Sequence, residues 1–355
     1  MRDFIRRHPF WTFYAAAVLI GLLAWIYLMT VELVLQGERG PDYSAYGEFV
    51  GYRDATRAAH PILHHHGDSV LLYMQAAASK MPILLPMFSF PFAPTLAALL
   101  IVGIGWKRLG LRALVGLYRP IRGNVSLREG AQLYAILVGF LVTFVSSLLI
   151  VEQLFGDPAR VENAVAHIGL LDWRTFVVTL LVADFLNQGA LLEELGWRGY
   201  ALPLLVRKWN KPLVACVVLG VLWALWHFPR EIPGILSGQQ TLAALVQWHL
   251  IFFLSTIGMT IVAFYFVNAA GGSVIPAILI HGVLNHVGNM FGAEQLVGRS
   301  YGGMIGPVGW AVAGLVVIAL VGPDLGWQRR VKALGSDDPS LIWSGAGGER
   351  EMRNG

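Results

Sequence analysis

Two adjacent glutamates lie inside a long apolar stretch, in the segment that runs from Glu193 and Glu194 to Arg198. On a helix, neighbouring residues point about 100° apart, so the two carboxylates cannot do the same job. Arg198 follows Glu194 by four residues, which places both on one face and allows an ion pair. Glu193 is then free to act as a general base. The alternative is a helix end at the membrane surface with a solvated Glu–Arg pair.

Two further pairs of residues recur at the spacing of one helical turn. Trp223 and His227 share a helix face, and so do His281 and Asn285. Histidine can accept and donate a proton near neutral pH. The second pair offers two hydrogen-bond donors that could hold an oxyanion. The alternatives are a neutral histidine bonded to a neighbouring helix and polar contacts that join helices in the membrane.

Membrane-spanning helices must position these residues. Of the 355 residues, 56% are hydrophobic and only 14% are charged, which excludes a disordered chain and an ordinary soluble enzyme. Uncharged runs such as Tyr14 to Val31 are far longer than core strands. We therefore predict an all-α, polytopic transmembrane helical bundle with about eight spans. The predicted spans are 11–34, 84–105, 131–154, 174–206, 213–229, 242–267, 273–290 and 303–321.

The distribution of lysine and arginine predicts the orientation of the bundle. With the N-terminus inside, 18 of the 26 basic residues fall in inner segments, which favours two cytoplasmic termini. The net charge of +4 then reflects basic loops, and no nucleic-acid partner is predicted. We divide the chain into an N-terminal span and outer loop (1–80), a membrane bundle (81–325) and a disordered cytoplasmic tail (326–355). The predicted location is the cell membrane, with several passes.

The three motifs, in this order on separate spans, resemble those of the CPBP family. This family comprises the type II CAAX prenyl proteases and bacteriocin-processing enzymes, and is also called the Abi or lysostaphin-resistance-protein-A-like family. The resemblance has its core at about 176–290, with weaker similarity over 92–99 and 107–112. One departure is that the second motif usually begins with Phe, where this chain has Trp223.

The resemblance implies an intramembrane glutamate protease that acts on a membrane-associated peptide or protein, from a site open to the cytoplasm. Glu193 would activate water with help from His227. His281 and Asn285 would stabilise the tetrahedral oxyanion. Structural support is expected from three residues: Glu194, Arg198 and Trp223.

Three alternatives remain open at this point. Zinc could bind at Glu193, His227 and His281, but the chain has no His-Glu-x-x-His motif, and we favour a site without a cofactor. A non-catalytic binding or immunity protein could share the fold. A transporter could use Asp184 and Asn187 to line an ion path, although no repeat symmetry is evident.

Overall fold

In the computed structural model, all the elements of regular structure in the described part of the chain are helices. The structure describes residues 1–40, 43–58, 70–156, 184–231, 241–290, 302–335 and 338–343, with a few single residues between 157 and 240. The α-helices are α1 (Arg2–Arg7), α2 (Pro9–Arg39), α3 (Ala45–Ala58), α4 (Val70–Lys80), α5 (Ser89–Val115), α6 (Leu127–Phe155), α7 (Gln188–Glu194), α8 (Leu202–Trp209), α9 (Pro212–Trp226), α10 (Leu242–Ala269), α11 (Ile275–Met290), α12 (Gly302–Val321), α13 (Trp327–Leu334) and α14 (Ser340–Trp343).

Within the described part of the chain, five helical segments are long and apolar enough to cross a membrane: Pro9–Arg39, Pro82–Tyr118, Leu127–Phe155, Pro212–Glu231 and Leu242–Ala269. Parts of α11 and α12 form shorter apolar helices. The prediction of a helical membrane bundle is therefore confirmed. The count of eight spans and the side of the termini stay predictions, and the first part of the predicted fourth span lies outside the described residues.

Close helix packing around α10 holds the bundle together. This helix contacts α9, α11 and α12, while α2 packs against α5. Glycines permit the shortest approaches. A Cβ at Gly220 would lie 2.7 Å from Cα of Ile257, and one at Gly258 would lie 2.1 Å from the carbonyl oxygen of Trp310. Small residues at such crossings let membrane helices gain van der Waals contact, since lipid provides no hydrophobic driving force between them.

The prediction of a disordered tail is wrong for the first part of the tail. Residues 327–334 and 340–343 are helical, and Trp343 is completely buried. Asp338, also buried, accepts hydrogen bonds from Arg207 at 2.9 Å and from Arg330 at 3.2 Å. Disorder was predicted from the Gly, Ser and Asp content of the tail, but the buried Trp343 and the ion pairs of Asp338 stabilise its first part. Residues beyond 343 lie outside the described part of the chain.

The predicted outer loop also contains regular structure, because it includes the end of α2 and the helices α3 and α4. The N-terminus of α4 is tied to the bundle. The backbone N–H of Val70 donates to the carbonyl of Leu186 at 2.7 Å, directly before the helix that carries the two glutamates. The loop histidines His60 and His64–His66 lie outside the described residues.

Candidate active site

The helix that carries the glutamates has an irregular course. Its first part, α7, begins after Asn187, whose side chain caps the helix by accepting from the backbone N–H of Ala190 at 3.2 Å. After Glu194 the chain widens into a π-helical segment, Leu195–Ala201, before α8 continues. π-Helical segments are rare in proteins overall, and those that occur are often found at functional sites. At Gly196 the segment approaches α5 so closely that a Cβ would lie 2.4 Å from the carbonyl of Pro94.

Glu194 is the centre of a fully buried polar cluster. Its Oε1 atom accepts from Nη1 of Arg198 and from Nδ1 of His281, both at 2.7 Å. The Arg198 guanidinium also donates through Nη2 to the hydroxyl of Thr260 on α10, at 2.8 Å. The predicted pair of Glu194 and Arg198 is present, and the cluster joins α7, the π-helical segment, α10 and α11. The predicted alternative of a solvated pair is wrong, because both side chains are 0% exposed.

Glu193 points toward α9. Its Oε2 atom accepts from the indole N–H of Trp223 at 2.8 Å. The Trp223 ring stands between two histidines, with its centroid 5.0 Å from that of His281 and 5.7 Å from that of His227. The Arg198 guanidinium lies 4.3 Å from the Trp223 ring centroid, as in a cation–π contact. The tryptophan that departs from the family motif thus supplies a hydrogen bond that phenylalanine could not.

His227 caps the C-terminal end of α9 rather than lying within the helix. Its Nδ1 atom is 2.9 Å from the carbonyl oxygen of Trp223. A carbonyl only accepts, so this bond places the ring proton of a neutral His227 on Nδ1 and leaves the Nε2 lone pair for a proton. The rings of Trp226 and Phe252 meet the imidazole edge-on, at centroid distances of 4.8 and 5.2 Å.

Asn285 faces the start of α7. Its Nδ2 atom donates to Oδ1 of Asn187 at 2.8 Å, and that oxygen also caps the helix, which sets the orientation of both amides. Gly189 lies beside this contact. A Cβ there would be 2.9 Å from Nδ2 of Asn285 and 3.3 Å from Oε1 of Glu193. The free side of the Glu193 carboxylate and the Asn285 amide therefore border the same glycine.

The structure thus brings all four predicted catalytic residues and their three predicted supports to one place. Our sequence reasoning missed Thr260 and Gly189, and considered Asn187 only as an ion ligand. The signal for Asn187 was present, since an asparagine before an apolar helix is a typical N-cap. Nothing in the separate sequence positions links Thr260 to Arg198, because that contact depends on how two helices pack.

A metal would require several ligands directed at one point. Among the described residues, no group of three His, Cys, Asp or Glu side chains is arranged to hold an ion. At the Glu193, His227 and His281 positions, atoms that a metal would use are occupied: Trp223 holds one oxygen of Glu193, and Glu194 holds Nδ1 of His281. The Nε2 atoms of His227 and His281 take no part in these hydrogen bonds.

The fold and the site define a class of protein: a helical membrane protein with a buried carboxylate, two histidines and an asparagine gathered from three helices. Comparison with known proteins agrees with this class. Residues 169–287 match the family model described as "Type II CAAX prenyl endopeptidase Rce1-like". This match confirms the predicted resemblance to the CPBP family, and the matched segment contains all four predicted catalytic residues.

A named relative supports the same resemblance. The chain is 33% identical over 104 residues to "CAAX prenyl protease 2" of Methanococcus maripaludis, a stretch that covers 29% of this chain and 38% of that protein. Both descriptions are of proteases, the class of hydrolase predicted from the motifs. Because the chain spans well under half of that relative's length, the relative's substrates do not follow from the match.

Proposed function

We propose that this chain is an intramembrane endopeptidase that hydrolyses a peptide bond of a membrane-associated substrate, in the cell membrane. One observation carries the proposal: Glu193 and His227, from separate helices, are held around Trp223 with His281 and Asn285 on a third helix. A binding protein has no need to bury these groups together, since each costs free energy to remove from water.

In the proposed reaction Glu193 acts as the general base. Trp223 holds Oε2 in place, so Oε1 is the oxygen that accepts a proton from water. The hydroxide attacks the carbonyl carbon of the substrate, and the proton passes to the leaving amine. His227 offers the Nε2 lone pair as a second acceptor for the same water. The aromatic rings around it exclude bulk solvent, which strengthens each of these polar interactions.

The developing oxyanion requires donors on the other side of the carbonyl. The Asn285 amide has two N–H groups, and its bond to Asn187 uses one of them. The second N–H and Nε2 of His281 are the donors we assign to the oxyanion. A proton on Nε2 makes the His281 ring a cation, because Nδ1 already donates its own proton to Glu194 at 2.7 Å. Glu194 and Arg198 act as positioning residues, because they reach the substrate only through His281 and Trp223.

We propose further that the reaction requires no metal. The contacts that Trp223 and Glu194 make with the candidate ligands support this, since each fixes the side chain for a hydrogen bond rather than for coordination. A chelator is therefore expected to leave the activity unchanged, whereas a zinc enzyme would lose it and regain it with added zinc.

The test is peptide cleavage by the full chain, purified in detergent, with a library of prenylated and unprenylated peptides. Glu193→Gln removes the base with little change in shape, and we expect cleavage to fall by about 10²- to 10⁴-fold. Glu38→Gln is the matched control, because Glu38 is exposed near the end of α2. Cleavage that persists in Glu193→Gln would contradict the mechanism. Wild-type protein that binds peptides tightly and cleaves none would favour the binding protein.

A further inference from the structure

The connection between α5 and α6 is held against two other parts of the chain. The backbone N–H of Arg122 donates to the carbonyl of Ala270, in the turn between α10 and α11, at 3.2 Å. The side chain of Asn124 donates to the carbonyl of Ala333 on α13 at 3.3 Å. The fold therefore fixes the position of Arg122, beside the turn and beside the first part of the tail.

Arg122 belongs to a group of arginines that shares a single carboxylate among the described residues. The buried Asp338 accepts hydrogen bonds from both Arg207 and Arg330. Arg122 lies within electrostatic range of Arg330 and Asp338, and its Nη1 atom is buried without a hydrogen-bond partner in the described part of the chain. The Nε atom of Arg330 is buried in the same way. Three guanidinium groups thus face one carboxylate, and positive charge is left in excess.

The surroundings of Arg122 oppose its charge. Burial lowers the pKa of Arg122, and the guanidinium groups of Arg330 and Arg119 lower it further, while Asp338 opposes them; the pKa falls to about 10. Arg122 is still a cation near pH 7. A partly buried charge without a counter-charge costs free energy, and a bound anion would reduce that cost. Arg119 is exposed and Arg122 is half-buried, so an anion can reach both from the surface.

These arginines lie where membrane helices end. The apolar segment Pro82–Tyr118 ends just before the connection, and Leu127–Phe155 begins just after it. A third apolar segment, Leu242–Ala269, ends at the turn that Arg122 contacts. Lipid phosphates lie at the same level, at the boundary of the hydrocarbon core. Leu127, at the start of α6, is 84% exposed, so an apolar surface adjoins the arginines.

We propose that Arg119 and Arg122 bind the phosphate group of an anionic phospholipid, with the buried Arg330 adding to the positive potential. Guanidinium groups bind phosphate through charge-assisted and often bidentate hydrogen bonds. Inorganic phosphate offers the same contacts, but it has no acyl chains to lie against the exposed start of α6. Phosphatidylglycerol, which has a net negative charge and two acyl chains, fits both features. Lipid binding requires no peptide cleavage, so this proposal does not rest on the proposed function.

Lipid binding by the full chain tests the proposal. The protein, purified in detergent, is titrated with phosphatidylglycerol at constant ionic strength, and the lipid-bound fraction is measured by native mass spectrometry. Phosphatidylcholine has the same phosphate and acyl chains but a neutralising choline, and inorganic phosphate, added as a competitor, has no acyl chains. Arg122→Gln removes the charge and keeps a polar side chain. Arg128→Gln is the matched control, because Arg128 is exposed in the first turn of α6.

We expect Arg122→Gln to weaken phosphatidylglycerol binding by about 10- to 100-fold, as for the loss of a charge-assisted hydrogen bond. Arg128→Gln should change it by less than about fivefold. Phosphatidylcholine should bind more weakly than phosphatidylglycerol to the wild-type protein. Equal weakening by the two variants would indicate a nonspecific attraction to basic residues. Displacement of the lipid by an equal concentration of inorganic phosphate would indicate a site for free phosphate. Either result overturns the proposal.

Thermal unfolding in mixed micelles separates a loss of binding from misfolding. With phosphatidylcholine, Arg122→Gln should melt at or above the temperature of wild type, because it removes a charge that lacks a counter-charge. With phosphatidylglycerol, wild type should melt above Arg122→Gln, because a ligand that binds the folded state stabilises it. If Arg122→Gln melts below wild type by the same margin with either lipid, Arg122 has a structural role alone and the proposal is wrong.

Discussion

Glu194→Gln is the substitution that most directly tests the buried cluster. It keeps the shape of the side chain and removes its charge. In the wild-type protein one oxygen of Glu194 accepts two hydrogen bonds, from Arg198 and His281, each at 2.7 Å. Both Glu194 and Arg198 are 0% exposed, so the Arg198 guanidinium would be left in the interior without its counter-charge.

The magnitude follows from that burial. Removing one partner of a buried ion pair costs about 3–5 kcal/mol, because the other charge stays buried and uncompensated. At about 1.4 kcal/mol per factor of ten, the ratio of folded to unfolded protein should fall by about 10²- to 10⁴-fold. The carbonyl oxygen of the substituted side chain can still accept both hydrogen bonds, and the Arg198 guanidinium keeps its bond to Thr260, so we expect the lower half of this range.

The assay is a double-mutant cycle on the free energy of unfolding, measured by denaturant titration in mixed micelles. The cycle compares wild type, Glu194→Gln, Arg198→Met and the double variant. Arg198→Met leaves the Glu194 carboxylate without the guanidinium, while the double variant removes both charges. We therefore expect the double variant to be more stable than Glu194→Gln alone. Glu38→Gln, at an exposed position, should change stability by less than about 0.5 kcal/mol.

Two results would refute this reasoning. Glu194→Gln within about 1 kcal/mol of wild type would mean that the pair is hydrated or that its charge is already neutralised. Purely additive effects in the cycle would mean that Glu194 and Arg198 do not interact in the folded protein, despite the distance between them.

Three further predictions concern other parts of the structure. Gly196→Ala places a methyl group 2.4 Å from the carbonyl of Pro94 and should lower the unfolding free energy by about 1–3 kcal/mol, whereas Gly139→Ala, with open space around it, should raise it by about 0.5–1 kcal/mol in the same titration. Trp223→Phe keeps the ring but loses the hydrogen bond to Glu193, so kcat/KM should fall by about 10- to 100-fold, as expected for a bond of about 1.5–3 kcal/mol to a charged group; an unchanged kcat/KM would show that the bond is not needed. Burial alone would raise the pKa of Asp338, but the guanidinium groups of Arg330 and Arg207 and the hydrogen bonds from Ser340 outweigh it and hold that pKa below its ordinary value. A carboxyl group whose pKa is lowered in the folded state stabilises the fold at pH values above its ordinary pKa, and this stabilisation is lost as the pH falls through the folded-state pKa. The stability advantage of wild type over Asp338→Asn should therefore be full near pH 7 and shrink in acid. An advantage that is constant with pH would contradict this.

The sequence predicted the features that depend on local spacing. Long uncharged runs indicated membrane helices, and the spacing of four residues indicated the pair of Glu194 and Arg198. Both are present, because a helix determines these relations without help from the rest of the fold.

The features that escaped prediction depend on contacts between distant segments. Thr260 lies 62 residues from Arg198, and its role arises only when α10 packs against the π-helical segment. The tail was predicted to be disordered from its Gly, Ser and Asp content. A few anchoring contacts, such as the buried Trp343 and the ion pairs of Asp338, were enough to order its first part.

The adjacency of the two glutamates now has a structural reason. Because neighbours on a helix point in different directions, one turn of α7 can face two partners at once. Glu193 meets Trp223 on α9, and Glu194 meets His281 on α11. The charge of the second carboxylate is compensated by Arg198. The first accepts a hydrogen bond from an uncharged indole through one oxygen, and its other oxygen is the one to which we assign proton transfer in the proposed reaction. Two carboxylates of the same type, one residue apart, are in this way assigned different chemistry by the helices they face.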